Sequence, residues 1–123
     1  AKARKKPERV EGTLSCELPK TLIRKNDIHI TSKRNFDCFQ DTELDMLLKR
    51  TLDVKNIIIC GVNTDTCVYG TTFGASNRGY NPIVIECCTG SMRGEDQHKT
   101  ALKIMSQSIA WVMKKEEILN KLN

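Results

Sequence analysis

The segment Cys60-Gly-Val-Asn-Thr-Asp-Thr-Cys67-Val-Tyr-Gly-Thr-Thr72 holds the residues best suited to chemistry. An apolar run, Ile57-Ile58-Ile59, precedes it. A stretch with helical character, Val68 to Arg78, follows it and is closed by Gly79. This order predicts a buried strand, a tight turn, and a cysteine delivered to a helix N-terminus. Unpaired backbone N–H groups and the positive end of the helix dipole favour a thiolate there. The thiolate is the nucleophilic form of cysteine. Cys67 therefore reads as a nucleophile. A small buried residue at a strand–helix junction has the same spacing, because free cysteines are commonly buried. Spacing alone leaves both readings open.

The surrounding chain supplies the elements that would position such a group. Residues 1–19 are polar, basic and aperiodic, and read as a loop or linker. Five of the first nine residues are basic (Lys2, Arg4, Lys5, Lys6, Arg9), without interleaved aromatics and broken by Pro7. That pattern fits a solvated loop better than a nucleic-acid patch. Residues 20–123 read as part of one domain. Ile28 to Thr31 alternates weakly as a short strand, with His29 a structural histidine in it. Thr42 to Leu52 carries leucines at 44, 47, 48 and 52, one helical face, with Thr42 as N-cap. Asn56 to Cys60 is a continuous apolar run, suited to a strand buried on both faces.

Pro82 to Glu86 predicts a further strand. Residues 95–107 predict a helix with Ala101, Leu102 and Met105 inward and His98 on its surface. Ile109 to Met113 predicts a last strand, and Glu116 to Leu122 a last helix. Asp65 and Thr66 are expected to shape the turn and cap the helix after it. Strands alternating with helices imply an α/β fold, a mainly parallel sheet covered on both faces.

Bulk properties narrow the class. The chain has 123 residues, 39% hydrophobic and 28% charged, with a net charge of +5, which bounds it to one domain of globular composition. No apolar run approaches the roughly 20 residues of a membrane span. Six cysteines occur without a secretory signal, and Cys87 and Cys88 are adjacent, a pairing whose disulfide geometry is strained. Free thiols in a reducing cytoplasm are expected. With no C-x-x-C and two histidines, neither a metal site nor a cofactor is expected.

The flanks of Cys67 carry a resemblance. Gly61-Val62-Asn63-Thr64-Asp65-Thr66-Cys67-Val68 resembles the G-V-x-T-x-x-C-V signature of the isochorismatase-like cysteine hydrolases, which include nicotinamidases, N-carbamoylsarcosine amidases and ureidoacrylate and biuret amidohydrolases. Lys33-Arg-Asn-Phe36-Asp-Cys-Phe39 is similar to the family's K-x-x-[FY]-x-x-F segment, and Thr42-Glu-Leu44-Asp-Met-Leu47-Leu48 to its T-x-L-x-x-L-L helix. Ala75 to Tyr80 and Gly94 to Leu102 follow in family order.

The resemblance implies a three-layer α/β/α sandwich of Rossmann-like type and a triad of Asp, Lys and Cys. The Lys maps onto Lys33 and the Cys onto Cys67. Lys33 would then be a cation favouring the Cys67 thiolate; on sequence alone a surface lysine is the simpler account. The backbone N–H groups of Asn63 and Cys67 would form the oxyanion hole, with a cis Val62–Asn63 peptide. Phe36, Phe39 and Tyr69 would line the pocket mouth or pack in the core. Cys87 stands where many members carry Asp. The family's Asp lies on a first strand that has no counterpart here, so the first two strands and the general base are expected from an N-terminal segment outside these 123 residues.

The implied activity is cysteine-dependent hydrolysis of a small non-peptide amide or ureido substrate through a thioester. Alternatives are an inactive or incomplete relative that only binds or assembles, and a vinyl-ether hydrolase of isochorismatase type. The expected partners are the amide substrate, the N-terminal segment and further copies of the chain in a homo-oligomer, with no nucleic acid and no membrane.

Overall fold

A computed structural model describes residues 11–123; the basic stretch Ala1 to Arg9 lies outside them. The apolar run after residue 55 forms strand β1, Asn56–Val62. It leads into a wide turn, Thr64–Val68, and helix α2, Tyr69–Asn77. Gly79, at φ 85°, and the Tyr80 N–H bonded to the Ala75 carbonyl at 3.1 Å end this helix. Strand β2, Asn81–Gly90, pairs parallel with β1. Helix α3, Glu95–Ser108, leads to the short strand β3, Trp111–Met113, which is parallel to β2. In the last helix, α4, Lys115–Leu122, the Glu117 carboxylate reaches back to accept the Lys114 N–H at 2.7 Å. Helix α1, Leu44–Met46, is short and widens into a π-type turn over Leu47–Thr51.

The sheet order is β1-β2-β3. Two successive crossovers in one direction, with the usual right-handed sense of such connections, would place α2 and α3 on the same face, and residues of both share one core cluster. There, Ile59, Val68, Ala75, Val84, Ala101, Leu102 and Met105 form the core with Phe39 and Tyr80. Ile85 and Ile118 are buried outside that cluster, which puts α4 on the opposite face. The result is a parallel sheet flanked by helices, in three layers.

Several elements depart from expectation. Ile28 to Thr31 is not a strand, and His29 is exposed rather than structural. Weak alternation forms a strand only beside a hydrogen-bonding neighbour, and the described residues provide none there. β1 and β2 run further than their apolar stretches, because ladder pairing resumes at Gly61 opposite Thr89. β1 is covered on one face only: Ile57 and Ile59 point inward, while Ile58 and Val62 are 45% and 57% exposed. Helix α4 packs on β2. Among the described residues, no helix is long and apolar enough to cross a membrane.

The loop carrying Lys33 lies on α2 through two glycines. A Cβ on Gly70 would meet the Phe36 and Asp37 backbone at 3.4 Å, and one on Gly74 would meet both Asp37 carboxylate oxygens at 2.5 Å. Asp37 cannot swing away freely, since it accepts from the Phe39 N–H at 2.8 Å and pairs with Arg78 at 3.3 Å. Gly74→Ala is therefore expected to destabilise the protein by about 1–3 kcal/mol, the usual cost of overpacking, despite alanine's better helix propensity. Gly90→Ala, whose Cβ meets nothing within 4 Å, is expected to stay within about 0.5 kcal/mol. Urea unfolding of both variants measures the contrast.

Candidate active site

The turn after β1 is wider than the tight turn expected. The N–H groups of Thr66 and Val68 both donate to the Asn63 carbonyl at 3.1 Å, the second being an i→i−5 bond. Cys67 thus lies inside helical backbone before α2 begins. Widened turns of this kind are frequent at functional sites. The Val62–Asn63 peptide is cis, as the resemblance implied. Cys67 is half-buried, and Lys33 Nζ stands 4.0 Å from its Sγ. The fold therefore brings together a thiol and an ammonium that are 34 residues apart in sequence.

Lys33 is held there by the segment that follows it. The Cys38 N–H donates to Thr71 Oγ1 at 3.1 Å, and that hydroxyl donates to the Phe36 carbonyl at 3.3 Å. Phe39 is 4% exposed and stacks on Tyr80 with centroids 5.6 Å apart, so it takes the core-packing reading and not the pocket mouth. The Arg78 guanidinium stands over the Phe39 ring, 4.9 Å from its centroid. Tyr80 donates to Asp45 Oδ1 at 2.7 Å; burial, then this hydrogen bond, pushes the phenol up to about 12. The same hydrogen bond holds the Asp45 carboxyl below its ordinary value. Phe36 is 65% exposed, with its backbone against Gly70, one turn along the helix from Cys67. Tyr69 is half-buried and tilts on Phe73 at 4.9 Å.

The far side of the turn is braced by the loop after β2. Asn63 Oδ1 accepts the Met92 N–H at 3.0 Å, and Asp65 Oδ1 accepts the Ser91 hydroxyl at 2.7 Å. Arg93 bridges Asp65 and Thr66. Asp65 and Thr66 therefore tie the turn to a second loop, where capping of α2 was expected. The Ser91 hydrogen bond, then Arg93, holds the Asp65 carboxyl below its ordinary value.

His98 corrects a further expectation. It is buried, and its Nδ1 meets the Thr64 hydroxyl at 2.8 Å, with Thr64 fully buried. Its position three and four residues before Ala101 and Leu102 already placed it on the inward face. Thr71, Gly74 and Arg78 were missed entirely, since no spacing rule couples a loop to a helix some 35 residues on.

The comparisons with known proteins agree with this fold. The family described as the Isochorismatase domain matches residues 1–117. The uncharacterized isochorismatase family protein YecD of Escherichia coli O157:H7 is 33% identical over 97 residues, 79% of this chain and 50% of that protein. An isochorismatase-like hydrolase from Alkaliphilus metalliredigens superposes with a TM-score of 0.85 at 27% identity, covering 93% of this chain and 61% of the other. The nicotinamidase SaPncA from Staphylococcus aureus gives a TM-score of 0.63 at 35% identity, over 67% of this chain and 50% of the other. The chain belongs to the isochorismatase family. It spans about half the length of the curated relatives it matches.

The brace makes a pH prediction. A carboxyl held below its unfolded value of about 3.9 contributes stability that is fully present above that value. The contribution is lost as pH falls through the lower folded value. Asp65→Asn is thus expected to lower the urea midpoint at pH 7 and to lose less stability than wild type below about pH 4. Parallel midpoints from pH 7 to pH 3 check this; an acid limb identical to wild type contradicts it.

Proposed function

We propose that this chain carries the nucleophile and the activating cation of a cysteine hydrolase acting on a small non-peptide amide or ureido substrate. The observation behind this reading is the Lys33 Nζ to Cys67 Sγ distance of 4.0 Å in a half-buried setting. A cation beside a thiol favours the thiolate by direct Coulomb attraction. The thiolate attacks the substrate carbonyl carbon, and ammonia or an amine leaves. Water then hydrolyses the thioester and restores the thiol. The amides of Asn63 and Cys67 are the proposed donors to the developing oxyanion. Phe36 and Tyr69 are the proposed walls of the substrate pocket.

Similarity to a nicotinamidase supports an amide over a vinyl ether as the bond cleaved. The two carboxylates closest in sequence to the pair are already engaged, Asp37 with Arg78 and Phe39, and Asp65 with Ser91 and Arg93. The proton acceptor for the Cys67 thiol is therefore proposed to come from an N-terminal segment of the same protein outside these residues. A homo-oligomer in the cytoplasm is the proposed setting.

Cys67→Ala is expected to lower amide hydrolysis by on the order of 10³-fold or more, as for loss of a nucleophile, while leaving the circular dichroism spectrum unchanged. Retained turnover excludes Cys67 as nucleophile. Lys33→Met is expected to slow iodoacetamide alkylation of Cys67 near neutral pH. An alkylation profile identical to wild type between pH 6 and pH 9 removes the coupling (the pH range follows from the roughly 8.5 of a free thiol).

A further inference from the structure

Three thiols outside the candidate site meet at a break in the β1–β2 ladder. The register runs evenly from Asn56 beside Asn81 to Ile59 beside Val84, then resumes with Gly61 beside Thr89. Cys60 of β1 therefore faces the four-residue bulge Ile85 to Cys88 of β2. The bulge is folded on itself, with Thr89 Oγ1 donating to the Glu86 carbonyl at 3.1 Å and the Ile85 carbonyl at 3.4 Å.

One step back from Gly61 and Thr89 stand Cys60 and Cys88. Cys60 and Cys88 are not themselves ladder partners, but each directly precedes a paired residue on strands that lie about 4.8 Å apart. Disulfides join Cα atoms roughly 4.4–6.8 Å apart. Cys87 Sγ lies 4.0 Å from Cys88 Sγ, and all three cysteines are exposed.

We propose that Cys60 and Cys88 form a reversible disulfide across the bulge, made by exchange with a low-molecular-weight disulfide. Partial burial, then the charge and hydrogen bonding of Cys88 and the charge of Cys87, push the Cys60 thiol up. The exchange is proposed to begin at Cys88, which is exposed. The Cys88 thiolate attacks one sulfur of the small disulfide. A mixed disulfide forms on Cys88, and one small thiolate leaves and takes up the proton that Cys88 released. Cys60 then loses its proton and attacks Cys88 Sγ, expelling the second small thiol, which takes that proton. Two protein thiols are oxidised to one disulfide, and the small disulfide is reduced to two thiols.

A bond between the adjacent Cys87 and Cys88 is strained and more easily reduced, so Cys60 is the proposed lasting partner of Cys88. The cross-link would fasten β1 to β2 one residue before Gly61, at the root of the turn that carries Cys67.

The test does not depend on the hydrolase reading, because it reads mass. The full chain carrying Cys67→Ala is incubated with oxidised glutathione, alkylated with iodoacetamide, digested and sequenced by mass spectrometry. The expected product is a Cys60–Cys88 linked peptide pair lighter by two hydrogens and abolished by dithiothreitol. Cys87→Ala should retain this link. Cys60→Ser should instead leave one stable glutathione on Cys88. The proposal is overturned if Cys60 and Cys88 stay fully alkylatable while Cys16 is oxidised. A Cys87–Cys88 bond as the main product, or a link between separate molecules that vanishes on dilution, overturns it as well.

Discussion

The close approach of residues 36–39 to helix α2 is the contact on which the candidate site depends. Two glycines one turn apart, Gly70 and Gly74, let the loop backbone and the Asp37 carboxylate lie directly on the helix. Hydrogen bonds from Cys38 to Thr71 and from Thr71 to Phe36 then fix its register. Phe39 continues the docking into the core, stacked on Tyr80. Each of these contacts lies on α2 or immediately after it, and α2 grows out of the turn holding Cys67. The loop and the nucleophile are thus referred to one rigid element, and Lys33 reaches Cys67 as a result. Long, flexible lysine side chains lose rotamer freedom when ordered, so placing the backbone well lowers that cost.

The opposite side of the turn is secured differently. There the contacts are polar and come from the loop between β2 and α3. Asn63, Asp65 and Thr66 all bond to residues 91–93. Beneath them, the buried Thr64 hydroxyl is satisfied by His98 from α3. A buried hydroxyl without a partner would cost on the order of 1–3 kcal/mol, so this pairing sets the depth of the turn. The turn is consequently held by α2 through the chain, by α3 through one buried hydrogen bond, and by a surface ion pair. Its geometry does not rest on any single one of them.

The sheet is asymmetric in its cover. The face toward α2 and α3 holds the core, while Ile58, Val62 and Trp111 are exposed. Exposure of this sort on β1 is what a parallel sheet shows when one layer is only partly laid over it. The β1–β2 bulge lies at the same end as the candidate site, and so links the thiol cluster to the turn through two residues of strand.

Much was legible in the chain itself. The Ile57–Ile59 run, the glycine-bounded turn and the inward set Ala101, Leu102 and Met105 are local patterns, and local patterns report strands and helices directly. The motifs around Lys33 and Cys67 pointed to the family for the same reason: each is a short contiguous string. What tertiary structure decided is everything carried by contacts between distant segments. Phe39 could line a pocket or fill a core until Tyr80 was beside it. His98 belonged to a polar string, Asp-Gln-His-Lys, yet burial is a property of the helix face and not of the neighbours in sequence. Ile28 to Thr31 alternated as a strand does, but a strand exists only through a partner. Gly74 gave no sign of its role, because what it admits is the Asp37 carboxylate, 37 residues earlier, and absence of a side chain is informative only once the atom that occupies its place is known.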